Sequence, residues 1–283
     1  MRILLGGIIF LLVCLVGVSA QAQSSWVLYD DFNSEFMDIE KWTTSERRDS
    51  GVMILEYVRE FHGGRLHMMG RAFGNTSSPY PYTGTRAGDI NSIFGMGKVF
   101  KSLKVSVKVK DVEVTGCPDN SSPSSSRARL LGFFFNDTYE TPNPVNRTGD
   151  IVAQIRIQRR SDSTDKPQLL EVWADVLRCS DSSCNTASGP PSILLGNILL
   201  GQWANIEIDW DKDNSKFNLK LNKEPTVAIS YQDKWLNVYP VSSSWNALGV
   251  ANRIANCPAN ERAMGFIDAE FENLFVREFQ PGL

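Results

Sequence analysis

The chain has 283 residues, and its 29 basic side chains against 32 acidic ones give a formal charge of -3. A phosphate backbone needs a concentrated surplus of cations, so nucleic acid is excluded as a partner. Two histidines and five cysteines, at spacings that fit no zinc pattern, exclude a structural zinc site as well.

The first 22 residues read as a secretory signal: Arg2 is the positive start, Ile3 to Val18 the apolar core, and "AQA" at Ala20 to Ala22 the small-residue cleavage site. The apolar run of about 16 residues is short for a membrane span, and none is expected in the mature chain. Val13 precedes Cys14 where lipid attachment would want a small residue. Losing Arg2 takes the 29 basic residues to 28 against 32 acidic ones, a mature charge of -4. Residues 23–283 are expected to form one domain, placed outside the cell or in the periplasm.

Short apolar alternations broken by Gly, Pro, Asn, Asp and Ser recur along the chain and predict an all-β fold. In "LKVSVKV", Leu103, Val105, Val107 and Val109 point one way and Lys104, Ser106 and Lys108 the other, with a bulge expected near Lys110 and Asp111. "ARLLGFFFN", Ala128 to Asn136, is apolar throughout and reads as a central strand covered on both faces. "IVAQIRIQ" turns Ile151, Ala153, Ile155 and Ile157 inward, and "LLEVWADVL" does the same with Leu170, Val172, Ala174 and Val176. The polar segment between them predicts a hairpin. A second hairpin is expected where "WANIEIDW" turns through "DKDN" into "KFNLKLN". "GFIDAEFENLFVREF" is the closing strand.

The mature chain keeps Cys117, Cys179, Cys184 and Cys257, an even number in an exported protein, which reads as two disulfides with three connectivities. Cys179 with Cys184 closes the loop "CSDSSC". Cys117 with Cys257 joins the similar loops "GCPDN" and "NCPAN". Asn75, Asn120, Asn136 and Asn146 head glycosylation sequons.

The opening "YDDFNSEFMDIEKW", the hairpin "GQWANIEIDWDKDNSKFNLKLN" and the closing "AEFENLFVREF" resemble segments of the concanavalin A-like lectin and glucanase superfamily. That group also holds laminin-G-like modules and alginate-type lyases. The resemblance implies a jelly-roll β-sandwich of two antiparallel sheets, with any glycan site on the concave one. It leaves the activity open.

Three constellations are candidates for chemistry. Glu207, Asp209 and Asp211 in "EIDWD" share one strand face at steps of roughly 6.6 to 6.8 Å. That rhythm is similar to the Glu-Asp-Glu motif of family 16 glucanases, though Asp211 is one methylene short. Because the triplet sits within the hairpin rather than before it, a solvated face that starts a turn is the expected role. "DWDKDNS" also resembles the start of an EF-hand loop, but Asn214 and Lys220 stand where glycine and a closing glutamate are needed.

Gln154, Arg156, Glu171, Trp173 and Asp175 would set a flat aromatic ring beside planar polar groups, the combination that binds sugars. Glu272 matches the acid of a structural calcium site that the resemblance implies; no other cofactor is required. These features predict a secreted, non-catalytic, lectin-like domain whose partner is a glycan or polysaccharide, with protein partners left open. The alternatives are a glycoside hydrolase or polysaccharide lyase of the glucanase type, or a structural envelope or matrix protein.

Overall fold

A computed structural model describes residues 25–50, 54–74, 84–95, 98–136, 146–184, 186–231, 246–258 and 261–278. The signal read at residues 1–22 lies outside them. Sixteen strands follow in chain order: β1 (Val27–Asp30), β2 (Trp42–Ser50), β3 (Ile54–His62), β4 (Arg65–Phe73), β5 (Thr85–Phe94), β6 (Phe100–Val114), β7 (Ser125–Asn136) and β8 (Asp150–Arg160). The second half adds β9 (Leu169–Cys179), β10 (Ala187–Ser188), β11 (Ile193–Leu199), β12 (Trp203–Asp211), β13 (Lys216–Leu221), β14 (Val227–Ser230), β15 (Asn246–Ala255) and β16 (Met264–Glu278).

They make two antiparallel sheets, the jelly-roll sandwich expected. One runs β14-β13-β12-β6-β16-β4-β3 with β1 on β16; the other runs β10-β9-β8-β7-β15-β5-β2 with β11 also on β9. The strand alternation sets this layering, because residues two apart share a face. Leu103, Val105, Val107 and Val109 of β6 are buried against Ile151, Ala153, Ile155 and Ile157 of β8 and Leu170, Val172, Ala174 and Val176 of β9 in one core. Both expected hairpins form, β8 with β9 and β12 with β13. The bulge appears where predicted: Asp268 opposes Asp111 and Ala269 opposes Val109, which leaves Lys110 unpaired.

The opening segment shows what its aspartate does. Phe32 has a φ of 58°, a conformation that side-chain-bearing residues rarely adopt, and its N–H donates to Asp30 Oδ1 at 2.7 Å. Asp30 Oδ2 accepts from the Trp42 indole at 2.7 Å, and the Tyr29 hydroxyl donates to the Lys41 carbonyl at 2.6 Å. One buried carboxylate therefore ties the turn at Phe32 to the core residue Trp42, whose burial alone contributes about 3 kcal/mol. Desolvation pushes the Tyr29 phenol up to about 12.

Two expectations change. β7 is central, between β8 and β15, but only one of its faces is covered: Ala128 and Leu130 enter the core, while Arg127 and Arg129 leave by the opposite face. The strand β15, carrying "NALGVANRIA", has no counterpart in the sequence reading. It gives Leu248 and Val250 to the core and small residues to the other side, so neither of its faces shows the polar alternation of an exposed strand.

Of the cysteines, Cys179 and Cys184 are bonded. Cys117 and Cys257 are brought together as expected, but as buried thiols whose sulfurs lie within 4.8 Å of each other and of the Glu261 carboxylate. Burial and the hydrogen bond with Cys117 raise the Cys257 thiol to about 12. Near them, the Asn120 amide is buried; its NH2 donates to Gly84 O at 2.9 Å and Asn256 O at 3.1 Å, and its oxygen accepts from Ser122 N at 2.8 Å.

Candidate functional site

The β7 sheet turns one face to the core, and its other face carries an open cleft of about 890 Å³. Strand register lays the floor out as a grid. Asp89 of β5 stands opposite Ala251, then Arg127, Gln158 and Glu171 on successive strands. One step along, Asn91, Gly249, Arg129, Arg156 and Trp173 form the next row, and Ile93, Ala247, Leu131, Gln154 and Asp175 the third. The lane along β15 is thus Ala251, Gly249 and Ala247, small buried residues flanked by polar side chains in the first two rows and by Ile93 and Leu131 in the third.

Gly249 is required by what crosses it. A Cβ there would stand 2.7 Å from the Ile90 carbonyl and collide with the Asn91 amide oxygen. The Arg129 guanidinium spans the lane, and its Nη2 donates to Asp89 Oδ2 at 2.9 Å and Asn91 Oδ1 at 3.1 Å. One end of the floor is apolar: Ile93, Leu131, Val152 and Ala247 pack with Cys179, and the bonded Cys184 lies over them. The other end carries Arg86, Arg160 and Arg253.

The electrostatics depart from the rest of the chain. Six arginines line the cleft with two aspartates, Asp89 and Asp175, in a protein whose formal charge is -3. Burial alone would raise the Asp89 carboxyl, but the charges of Arg129 and Arg127 outweigh it and hold the pKa below the ordinary value. Asp89 is therefore ionised, and its Oδ1 has no partner among the described residues. Arg127 is only 5% exposed; burial pushes its pKa well down, and the charges of Arg253 and Arg129 push it further.

Among the residues expected at a site, Gln154, Arg156 and Asp175 line the cleft. Asp175 is buried, bonded to Arg156 and Ser192, and accepts from Gln154 at 3.0 Å. Glu171 and Trp173 are not in the lining. The Trp173 indole donates to Glu171 Oε2 at 2.8 Å, and the Arg156 guanidinium lies 6.0 Å from its ring centroid, so this ring is engaged by its neighbours.

Glu207, Asp209 and Asp211 lie together on the outer face of the opposite sheet. Arg277 reaches Glu207 at 3.9 Å and Asp209 at 3.8 Å, and Ser102 donates to Asp209. Asp211 caps the turn of 3-10 helix at Lys212–Asn214; desolvation alone would raise its carboxyl, but the bonds from Asn214 and Lys216 and the Lys216 charge together outweigh it and hold the carboxyl below the usual range. Glu272 has Arg65 Nε at 4.0 Å and joins no group of three metal-ligating side chains among the described residues.

The residues that sequence reasoning missed are Asp89, Asn91, Arg127, Arg129, Gln158, Ser192 and Arg253. A signal existed in "SRARLLG", where arginines alternate with Ala128 and Leu130.

Two antiparallel sheets packed on one core, with a cleft across the free face of one, make this chain a jelly-roll β-sandwich, the architecture that the resemblance of its ends implied. No protein-family profile and no curated protein matches it. Among solved structures it is similar to the catalytic domain of an endo-1,3-beta-glucanase (laminarinase) from Thermotoga petrophila RKU-1, at 11% identity and a TM-score of 0.43, covering 91% of this chain and 100% of that one. A beta-1,3-glucanase from Mycobacterium marinum is similar at 15% identity and 0.42, over 87% and 96%. So is a structure reported for endo-acting O-glycanases of the human gut microbiota that initiate mucin breakdown, at 16% and 0.42, over 89% and 91%.

At these values the likeness is one of fold. The expectation of a non-catalytic lectin-like domain is nonetheless corrected. The aromatic face that motivated the lectin reading is occupied by Arg156 and Glu171.

Proposed function

We propose that the protein is an exported glycoside hydrolase that takes a polysaccharide chain into the β7-sheet cleft. The observation that carries this reading is the open cleft of about 890 Å³ on the free face of the β7 sheet, lined by the planar polar side chains of Asn91, Gln154, Gln158 and the arginines. Such a cleft admits an extended chain of sugar rings, and Asn91, Gln154 and Gln158 of its lining stand where ring hydroxyls would pass.

Asp89 is the acid this reading assigns to the chemistry, because it lines the cleft, is held ionised by the arginines, and its buried Oδ1 has no hydrogen-bond partner among the described residues. Asp175 does not complete a pair with it. Four strand spacings separate them, about 19 Å at roughly 4.8 Å each, and hydrolases hold their two carboxylates about 5 to 9.5 Å apart. The second acid of the pair is not among the described cleft residues.

Incubation with a panel of neutral and charged polysaccharides tests the reading. Release of reducing ends without new ultraviolet absorbance is expected, and Asp89→Asn should lower it about 100-fold or more. Absorbance from unsaturated products would replace hydrolysis by elimination, and an absence of cleavage across the panel would overturn the reading.

A further inference from the structure

Resting on the reading that a polysaccharide occupies the cleft, we infer that its substrate is anionic, a chain bearing carboxylate or sulfate groups. Not all six cleft arginines are neutralised internally. Arg129 pairs with Asp89, Arg156 with Asp175, and Arg160 with Asp162 at 2.6 Å. Arg86, Arg127 and Arg253 have no ion-pair partner among the described residues.

Arg127 is the telling one. It is buried in the middle of the floor, one strand from Arg253 on β15 and two residues from Arg129 on its own strand. Its Nε and that of Arg129 lack any hydrogen-bond acceptor among the described residues. A buried guanidinium is costly unless paired, and it stays protonated near neutral pH. Placing it beside two like charges multiplies that cost. A ligand oxyanion entering the cleft offsets it by bringing negative charge close by, and meets the exposed guanidinium groups of Arg86 and Arg253, which match carboxylate and sulfate oxygens with two parallel bonds.

The layout also gives the ligand a direction. Cations gather at the Arg86 and Arg253 end, and the far end is the apolar floor under Cys184. A chain bound along β15 would set an acidic sugar over Arg127 and Arg253 and a less polar ring face over Leu131 and Val152.

The test compares each acidic polymer with its own neutralised form on the full exported protein. Calorimetric titration would use polygalacturonate against its methyl ester, chondroitin sulfate against its desulfated form, laminarin as a neutral glucan, and a single-stranded oligonucleotide. At least one acidic form should bind about tenfold or more tighter than its neutralised partner, with affinity falling as salt rises. Whichever pair shows the preference identifies carboxylate or sulfate as the group recognised. Arg253→Gln and Arg86→Gln should each reduce that preference about tenfold, and Lys104→Gln, on the outer face, should not change it. Equal binding of acidic and neutralised forms, or tight binding of laminarin alone, would overturn the anionic assignment while leaving a polysaccharide cleft intact. Equally tight binding of the oligonucleotide would overturn both.

Discussion

The outer face of the β6 sheet and the cleft face of the β7 sheet are built by the same strand alternation, yet they handle charge in opposite ways. On the outer face cations meet acids: Lys108 lies 2.6 Å from Glu270, Arg65 3.2 Å from the same carboxylate, and Lys110 3.5 Å from Asp268. His67 sits between Glu60 at 2.8 Å and Asp268 at 2.9 Å. The aromatic rings are covered as well, Trp203 by Lys108 at 4.8 Å and Trp26 by Arg277 at 4.1 Å. In the cleft, three of six arginines have no such partner among the described residues. Alternation decides which side chains leave the core; cross-strand register decides whether they neutralise one another once there.

The sharpest way to break this contrast is to remove the carboxylate that holds the cleft together. Asp89→Ala should cost about 3 to 5 kcal/mol in denaturant unfolding, because the buried Arg129 guanidinium then loses its counter-charge. Its pH dependence has a definite sign. A carboxyl depressed in the folded state stabilises above its unfolded pKa of about 3.9, and that contribution is lost as pH falls through the lower folded value. Wild-type stability should therefore fall on the acid side more steeply than that of Asp89→Asn. Parallel curves would show that Asp89 is not held in its ionised form by the arginines.

A smaller effect is expected at the cleft's apolar end. Opening the Cys179–Cys184 loop by double serine substitution should cost about 2 kcal/mol, the chain-entropy value for so short a loop. Peptide mapping of unreduced protein should recover that pair linked and Cys117 and Cys257 as free thiols; a Cys117–Cys257 peptide would show that the buried pair oxidises despite its raised pKa.

The smallest effect belongs to the outer face. Glu207→Gln and Asp209→Asn, whose ion-pair distances to Arg277 are 3.9 and 3.8 Å, should each change stability by no more than about 1 kcal/mol and leave polysaccharide cleavage unchanged. Loss of cleavage in either variant would move the chemistry to that face.

The sandwich was legible because strands with one wet face announce themselves: β6, β8, β9, β12 and β16 all alternate. β15 was not, since a floor lane needs small residues and "NALGVANRIA" hides its period behind Ala and Gly. The cleft was half legible for a related reason. Gln154, Arg156 and Asp175 lie on a hairpin whose register follows from local sequence. Asp89, Arg127 and Arg253 meet across β5, β15 and β7, which are more than 150 residues apart at their extremes and whose order no local pattern encodes.

The buried amide of Asn120 sets an order of events. It heads a sequon, yet its nitrogen donates to two carbonyls contributed by distant segments, Gly84 and Asn256. A sugar attached to that nitrogen would displace both contacts, and the completed fold gives a transferase no access to it. At this position modification and maturation are rivals: whichever comes first forecloses the other, and a chain that has closed its sandwich keeps Asn120 bare.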